Sequence, residues 1–227
     1  MSSVGGEAAE LGGANRERLR AALGLQALVR GYQVHGADTE IVREVPPGEP
    51  PPEQLPRADG QATALRGVGV MVLAADCVPV AIGAPGAVAI VHAGWRGLAG
   101  GVIERGAQAV RDLADADGSL EAVIGPGAGG CCYEVGPEVL DALAIPPAAD
   151  PAAGARSPVP AGISAPPPRR DGHALLDLRA LARERLLAAG VELVSQLGGC
   201  TICDERFFSH RREGERSGRI LGVAWRS

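Results

Sequence analysis

Residues 89–104 (AIVHAGWRGLAGGVIE) deliver His92 from an apolar stretch into a glycine-rich bend, with Arg96 beside it. Gly94 and Gly97 let backbone approach a ligand closely, and free amides at a helix start next to a guanidinium suit an anion such as phosphate. A plain strand-to-helix turn with a solvated arginine would carry the same residues. In residues 73–82 (LAADCVPVAI), Asp76 and Cys77 interrupt an apolar strand, and alternation predicts that their side chains face opposite ways. Pro79 predicts an edge strand or a bend. A buried cysteine is often packing, whereas a buried carboxylate needs a partner. In residues 33–38 (QVHGAD), His35 falls at a turn. With Cys77 and His92 it makes a set of two imidazoles and one thiolate. Three protein ligands with a fourth position open is the arrangement of a catalytic zinc. Sulfur with imidazole also suits copper, and without any metal Cys77 could act as nucleophile with His92 as base. The three lie far apart in the chain, so spacing does not choose among these readings.

The other cysteines are less directive. Cys200 and Cys203 have the spacing of a metal or redox pair, but there is no second CxxC and no βαβ redox context, so they read as structural or incidental. Cys131 and Cys132 are adjacent, poorly placed to chelate one ion together, and read as packing around the glycine-rich loop 125–130. Residues 207–219 (FFSHRREGERSGR) join two aromatics to His210, Arg211 and Arg212. An aromatic can stack on a base and an arginine can hold a phosphate or a ribose hydroxyl. A hairpin with solvated charges fits equally well.

Short elements must position these residues. Residues 15–23 predict an amphipathic helix ended by Gly24; residues 25–34 predict a strand entering the His35-Gly36 turn, continued by 39–42. Residues 44–56 hold six prolines and form a loop. Residues 68–82 and 87–92 are apolar and valine-rich, hence buried strands. Apolar residues at 98, 102, 103, 107, 110 and 113 have helical spacing and predict one helix over 98–114. Residues 122–124 are a short strand. Residues 145–170, dominated by alanine and proline, predict a long surface excursion. Asp177 caps a helix through Ala189, stopped by Gly190, and 191–197 and 220–225 are closing strands. The sum is a mixed sheet flanked by helices in one domain.

The chain has 227 residues, 46% hydrophobic and 22% charged, enough for a sizeable core. With only two each of Phe, Tyr and Trp, that core must be built from Ala, Val, Leu and Ile. The net charge of -5 and the absence of an uninterrupted basic patch disfavour a nucleic-acid binder. The start has neither a charged nor an apolar leader segment, so the expectation is a cytoplasmic protein with reduced thiols and no membrane contact.

Several of these strings together resemble the YfiH family, also called laccase-domain or multicopper polyphenol oxidase proteins and in places peptidoglycan editing factors. The resemblance rests on QVHG at 33–36, ADCVP at 75–79, VHAGWRG at 91–97, GPGAGGCCYEVG at 125–136, LDL at 176–178, CT at 200–201, FFSHRR at 207–212 and SGR at 217–219. These run in the family's order over about residues 15–225. The resemblance implies an α+β fold, mixed sheets packed as an α/β/β sandwich similar to the cytotoxic necrotizing factor catalytic domain, over a single domain 1–227. It implies zinc on His35, Cys77 and His92, with copper as the older label. It also implies phosphorolysis of adenosine, inosine or methylthioadenosine, with adenosine deamination as a second activity. Phenol oxidation and cysteine-based editing of peptidoglycan precursors are the alternatives. For the nucleoside chemistry the expected catalytic residues are Cys77, His92, Asp76 and His210, with Arg96 and Arg211 binding substrate or phosphate. Partners are then the purine nucleoside and phosphate, with a homodimer left open. Family members usually begin with a strand carrying an arginine, then G-G-x-S and N-L-G, ahead of the helix that starts here at Asn15-Arg16; that strand is expected to be missing.

Overall fold

A computed structural model describes residues 6–115, 118–144 and 170–227. The predicted excursion at 145–170 lies, apart from Arg170, outside the described residues. The helices are α1 (Gly6–Ala22), α2 (Trp95–Ala99), α3 (Val102–Leu113), α4 (Pro137–Ala142), α5 (Leu178–Ala188) and α6 (His210–Glu213). A six-stranded sheet runs in the order β10 (Leu193–Gln196), β7 (Glu121–Ile124), β5 (Val78–Ala84), β6 (Ala87–Ala93), β3 (Gly60–Thr63), β2 (Thr39–Val42). Its centre is antiparallel and its two outer pairs are parallel. A three-stranded sheet is ordered β1 (Ala27–Val29), β4 (Val68–Ala74), β11 (Ile220–Trp225), and β8 (Glu134–Val135) pairs with β9 (Ala174–Leu175).

The layers follow from side-chain alternation on β6. Ile90 packs with Val70, Val72 and Ala224 of the small sheet, whereas Val91 belongs to the core beneath α3 and α5. A helix layer, a large sheet and a small sheet are therefore stacked in that order, an α+β arrangement of mixed sheets. Small residues set the spacing. A Cβ on Gly106 of α3 would lie 2.7 Å from a Val91 methyl, and one on Gly222 of β11 would lie 2.7 Å from Pro79 and 2.8 Å from Ile90. With so few aromatics, close approach of backbone supplies the packing that large rings would otherwise provide.

Several expectations are corrected. The apolar run 68–82 is not one strand: β4 belongs to the small sheet and β5 to the large one, and the chain crosses between them at 75–77. Alternation therefore does not apply to Asp76 and Cys77, which lie in the crossing. β5 is also not an edge strand. Pairing with β7 begins only at Val80, and the Pro79 carbonyl accepts from Gly125 at 2.9 Å, so the absent proline N–H sits where the ladder has not begun. The helix expected over 98–114 is two, because Gly101 has φ +85°, a conformation that breaks a helix and favours glycine. The 207–219 stretch forms α6 and a short 3-10 turn, not a hairpin. Asp177 caps α5 through the amides of Arg179 and Ala180, both at 3.0 Å, and Gly190 follows with φ +78°, as its sequence predicts. No described helix is long and apolar enough to cross a membrane.

Candidate metal centre

Three different structural devices bring His35, Cys77 and His92 together. Cys77 sits on the crossing between sheets, where Asp76 takes a left-handed φ of 84° and so turns the chain. His92 is delivered near the end of β6, buried. His35 follows β1 on a segment without regular secondary structure and itself adopts φ 60°. Their ligand atoms all lie within 4.8 Å of one another, and the His35 and His92 rings meet edge to face with centroids 5.0 Å apart. His35 is exposed while His92 is buried, so the cluster opens to solvent on one side.

Behind the cluster stands Asp59, fully buried and overlooked by the sequence reading. Its carboxylate meets His92 Nδ1 at 2.8 Å and accepts the amides of Val34, His35 and Gly36 at 2.9, 3.0 and 2.8 Å. One side chain thus fixes the His92 ring and the backbone that presents His35, leaving His92 Nε2 free as a ligand. A ligating histidine calls for such an acceptor, but nothing in the string RADG tells which of the chain's acids it is. Burial works against the Asp59 charge, yet His92 and the amides hold its carboxyl below the ordinary range. Burial likewise pushes the Cys77 thiol up, but the two imidazoles outweigh it and bring the thiol down to about 6. His92 is raised to about 9, its burial outweighed by Cys77 and Asp59. Gly94 closes the wall: a Cβ there would lie 2.7 Å from Cys77 Sγ and 3.5 Å from the His35 ring.

The other residues singled out by sequence surround this cluster. Asp76 Oδ1 accepts the Thr201 hydroxyl at 2.7 Å and Oδ2 accepts the Arg211 amide at 2.6 Å, which ties α6 to the crossing. The Arg211 guanidinium stands 4.9 Å from the centre of the Tyr133 ring, and burial and the nearby Cys77 charge raise that phenol. Arg96, exposed on α2, lies over Trp95 at 4.2 Å. Exposed His210 opens α6 with Nδ1 3.0 Å from the Gly214 carbonyl. No hydrogen bond among the described residues joins His210 or Arg96 to the three-residue cluster. Tyr133 and Thr201 were missed as individuals, although the motifs containing them were noticed. The expectation that Cys131 and Cys132 are badly placed to share an ion is overturned: with Cys200 and Cys203 they converge to within 4.8 Å.

Comparison with known proteins agrees with the architecture. A family model described as multi-copper polyphenol oxidoreductase laccase matches residues 2–227. A Xylella fastidiosa protein named purine nucleoside phosphorylase is 41% identical over 99% of this chain and 82% of its own length. One from Geobacillus stearothermophilus, named purine nucleoside phosphorylase YlmD, is 38% identical over 93% of this chain and 77% of its own. The crystal structure of YlmD superposes with a TM-score of 0.73 at 34% identity, covering 94% of this chain and 79% of that one. A Neisseria meningitidis protein of a family known by the model DUF152 gives 0.74 at 29% identity, covering 99% and 83%.

Proposed function

Since the chain belongs to the multi-copper polyphenol oxidoreductase laccase family, and its relatives include proteins named purine nucleoside phosphorylase, we propose that it is a zinc-dependent purine nucleoside phosphorylase. The observation that carries this reading is the open cluster of His35, Cys77 and His92, with Asp59 behind His92. Two nitrogens and a sulfur fit zinc: ideal bonds of about 2.0–2.3 Å place donors about 3.3–3.8 Å apart, inside the span seen here. A zinc ion there would supply a Lewis acid with one coordination position for substrate.

The chain's own groups would do the rest. In phosphorolysis a phosphate oxygen forms the new bond to C1′ while the C1′–N9 bond breaks, its electron pair leaving with the purine, which takes up a proton. Arg96, four residues after His92, and Arg211, whose amide binds Asp76 beside Cys77, are both exposed and are the candidate holders of phosphate. Tyr133 beneath Arg211 keeps that guanidinium oriented. His210 is the candidate proton donor to the leaving base: its Nδ1–H is held by the Gly214 carbonyl, so Nε2 is the free nitrogen, and it gives a proton from the imidazolium form. Both Asp76 oxygens already accept hydrogen bonds, so we assign it a positioning role rather than proton transfer. Adenosine deamination would use the same Lewis-acid position. A multicopper oxidase is the weaker reading: the chain has four histidines, and His173 and His210 make their ring contacts to the carbonyls of Asp171 and Gly214.

The test is incubation with inosine, adenosine or methylthioadenosine, with and without phosphate, following free base and sugar 1-phosphate. Base release that requires phosphate and is lost with His92→Ala is expected; release indifferent to phosphate would overturn the reading.

A further inference from the structure

We propose that Cys131, Cys132, Cys200 and Cys203 form a second zinc site, a tetrathiolate separate from the His35–Cys77–His92 cluster. The four sulfurs lie within 4.8 Å of one another, with Cys131 Sγ and Cys203 Sγ 3.5 Å apart. A tetrahedral ion with bonds of about 2.3 Å puts its sulfurs about 3.8 Å apart, whereas a disulfide would need about 2.05 Å. The four sulfurs are therefore gathered within the span that one tetrahedral ion bridges, and all four cysteines are free of disulfide bonds. Closed sets of four cysteines are structural zinc sites, with no position left for substrate.

The backbone around the cysteines is built for this convergence. Cys200 to Cys203 form a tight turn, the Asp204 amide reaching back to the Cys200 carbonyl at 3.1 Å. The Arg212 guanidinium braces the turn through the Thr201 and Ile202 carbonyls at 2.8 and 3.0 Å. The Gly129 amide donates to Cys200 Sγ at 3.3 Å, an orientation that favours a thiolate. A Cβ on Gly129 would sit 3.1 Å from Cys200 Cβ and 3.5 Å from its sulfur, so the loop reaches the turn closely because that residue is glycine. Main-chain bonds between Gly127 and both Gly199 and Thr201 complete the seam.

The consequence for function is positional. Thr201 lies between the two cysteines of the turn and its hydroxyl binds Asp76, the neighbour of Cys77. An ion at the four cysteines would clamp the 125–133 loop and the 200–203 turn, and through Thr201 would steady the crossing that presents Cys77. Binding exchanges four thiol protons for one Zn2+ and needs no oxidant. This proposal does not rest on the nucleoside reading.

Metal analysis of the purified full-length chain, kept reduced, tests it. Cys131→Ser/Cys203→Ser should carry one zinc fewer than the wild type, while His35→Ala/His92→Ala should retain the ion held by the four cysteines. Should the serine variant fail to fold, the wild type answers alone. Cys131 and Cys203 are exposed, so in zinc-loaded protein iodoacetamide should modify them at least tenfold more slowly than after chelation, read by peptide mapping. Unchanged zinc content in a folded serine variant would overturn the proposal. So would equal alkylation rates with and without chelator, a Cys131–Cys203 disulfide in the reduced preparation, or iron in place of zinc.

Discussion

Asp59 illustrates how one buried side chain can serve two ligands. Its carboxylate receives His92 Nδ1 and three successive amides around His35. Asn in its place turns an acceptor oxygen into a donor that faces N–H groups. Asp59→Asn should therefore lower zinc affinity at this cluster by about 10–100-fold, measured by competition with a chromophoric chelator. It should also destabilise the fold by about 1–3 kcal/mol; an unchanged zinc affinity would remove Asp59 from the site. Gly94→Ala makes a contrasting test. Gly94 has φ -84°, which alanine accepts, so any effect comes from the new methyl 2.7 Å from Cys77 Sγ. Zinc affinity should fall at least about tenfold, with an overpacking cost of about 1–3 kcal/mol in denaturant unfolding. His35, Cys77 and His92 could be singled out from sequence because their types are scarce and chemically directive. Asp59 could not, because a carboxylate before a glycine looks like any turn until the pairing of β3 with β6 places it beside His92.

At the scale of elements, the division of one apolar run between two sheets decides the site. β4 ends at Ala74 in the small sheet and β5 starts at Val78 in the large one, so Asp76 and Cys77 are carried on the crossing between the two layers. Hydrophobic patterning cannot reveal this, since both strands are buried and both read as continuous apolar residues. The later helix α5 was legible because cap and stop residues act locally. The break between α2 and α3 was not, since the apolar period runs through Gly100 and Gly101. β3, β8, β9 and α4 carry too few residues to show a period at all. Sheet separation, by contrast, gives a clear prediction. Gly222→Ala would push a methyl to 2.7 Å from Pro79 and 2.8 Å from Ile90 between the sheets. We expect a loss of about 1–3 kcal/mol in urea unfolding, with zinc content per folded molecule unchanged. A Gly222→Ala protein as stable as wild type would mean that the layers can separate at no cost.

For the molecule as a whole, both sets of metal ligands are assembled from distant parts of the chain. Positions 35, 77 and 92 make one set, and 131, 132, 200 and 203 the other. Neither arrangement exists in the unfolded chain, so an ion bound there adds to folding stability by mass action. This makes the stability of the whole protein a counter of its metal sites. Once free zinc exceeds the dissociation constants, each site filled only in the folded state adds about 1.4 kcal/mol per tenfold rise in zinc. Two such sites predict a slope of about 2.7 kcal/mol per decade, and one predicts about half of that. Zinc captured by cysteines of the unfolded chain lowers both slopes, so the comparison belongs between variants under the same buffer. His35→Ala/His92→Ala and Cys131→Ser/Cys203→Ser should each lose about one site's worth of slope, and the chelator-treated wild type should show the lowest unfolding midpoint of the wild-type series. A wild-type slope that neither pair of substitutions reduces would mean that zinc stabilises this fold through residues other than these seven.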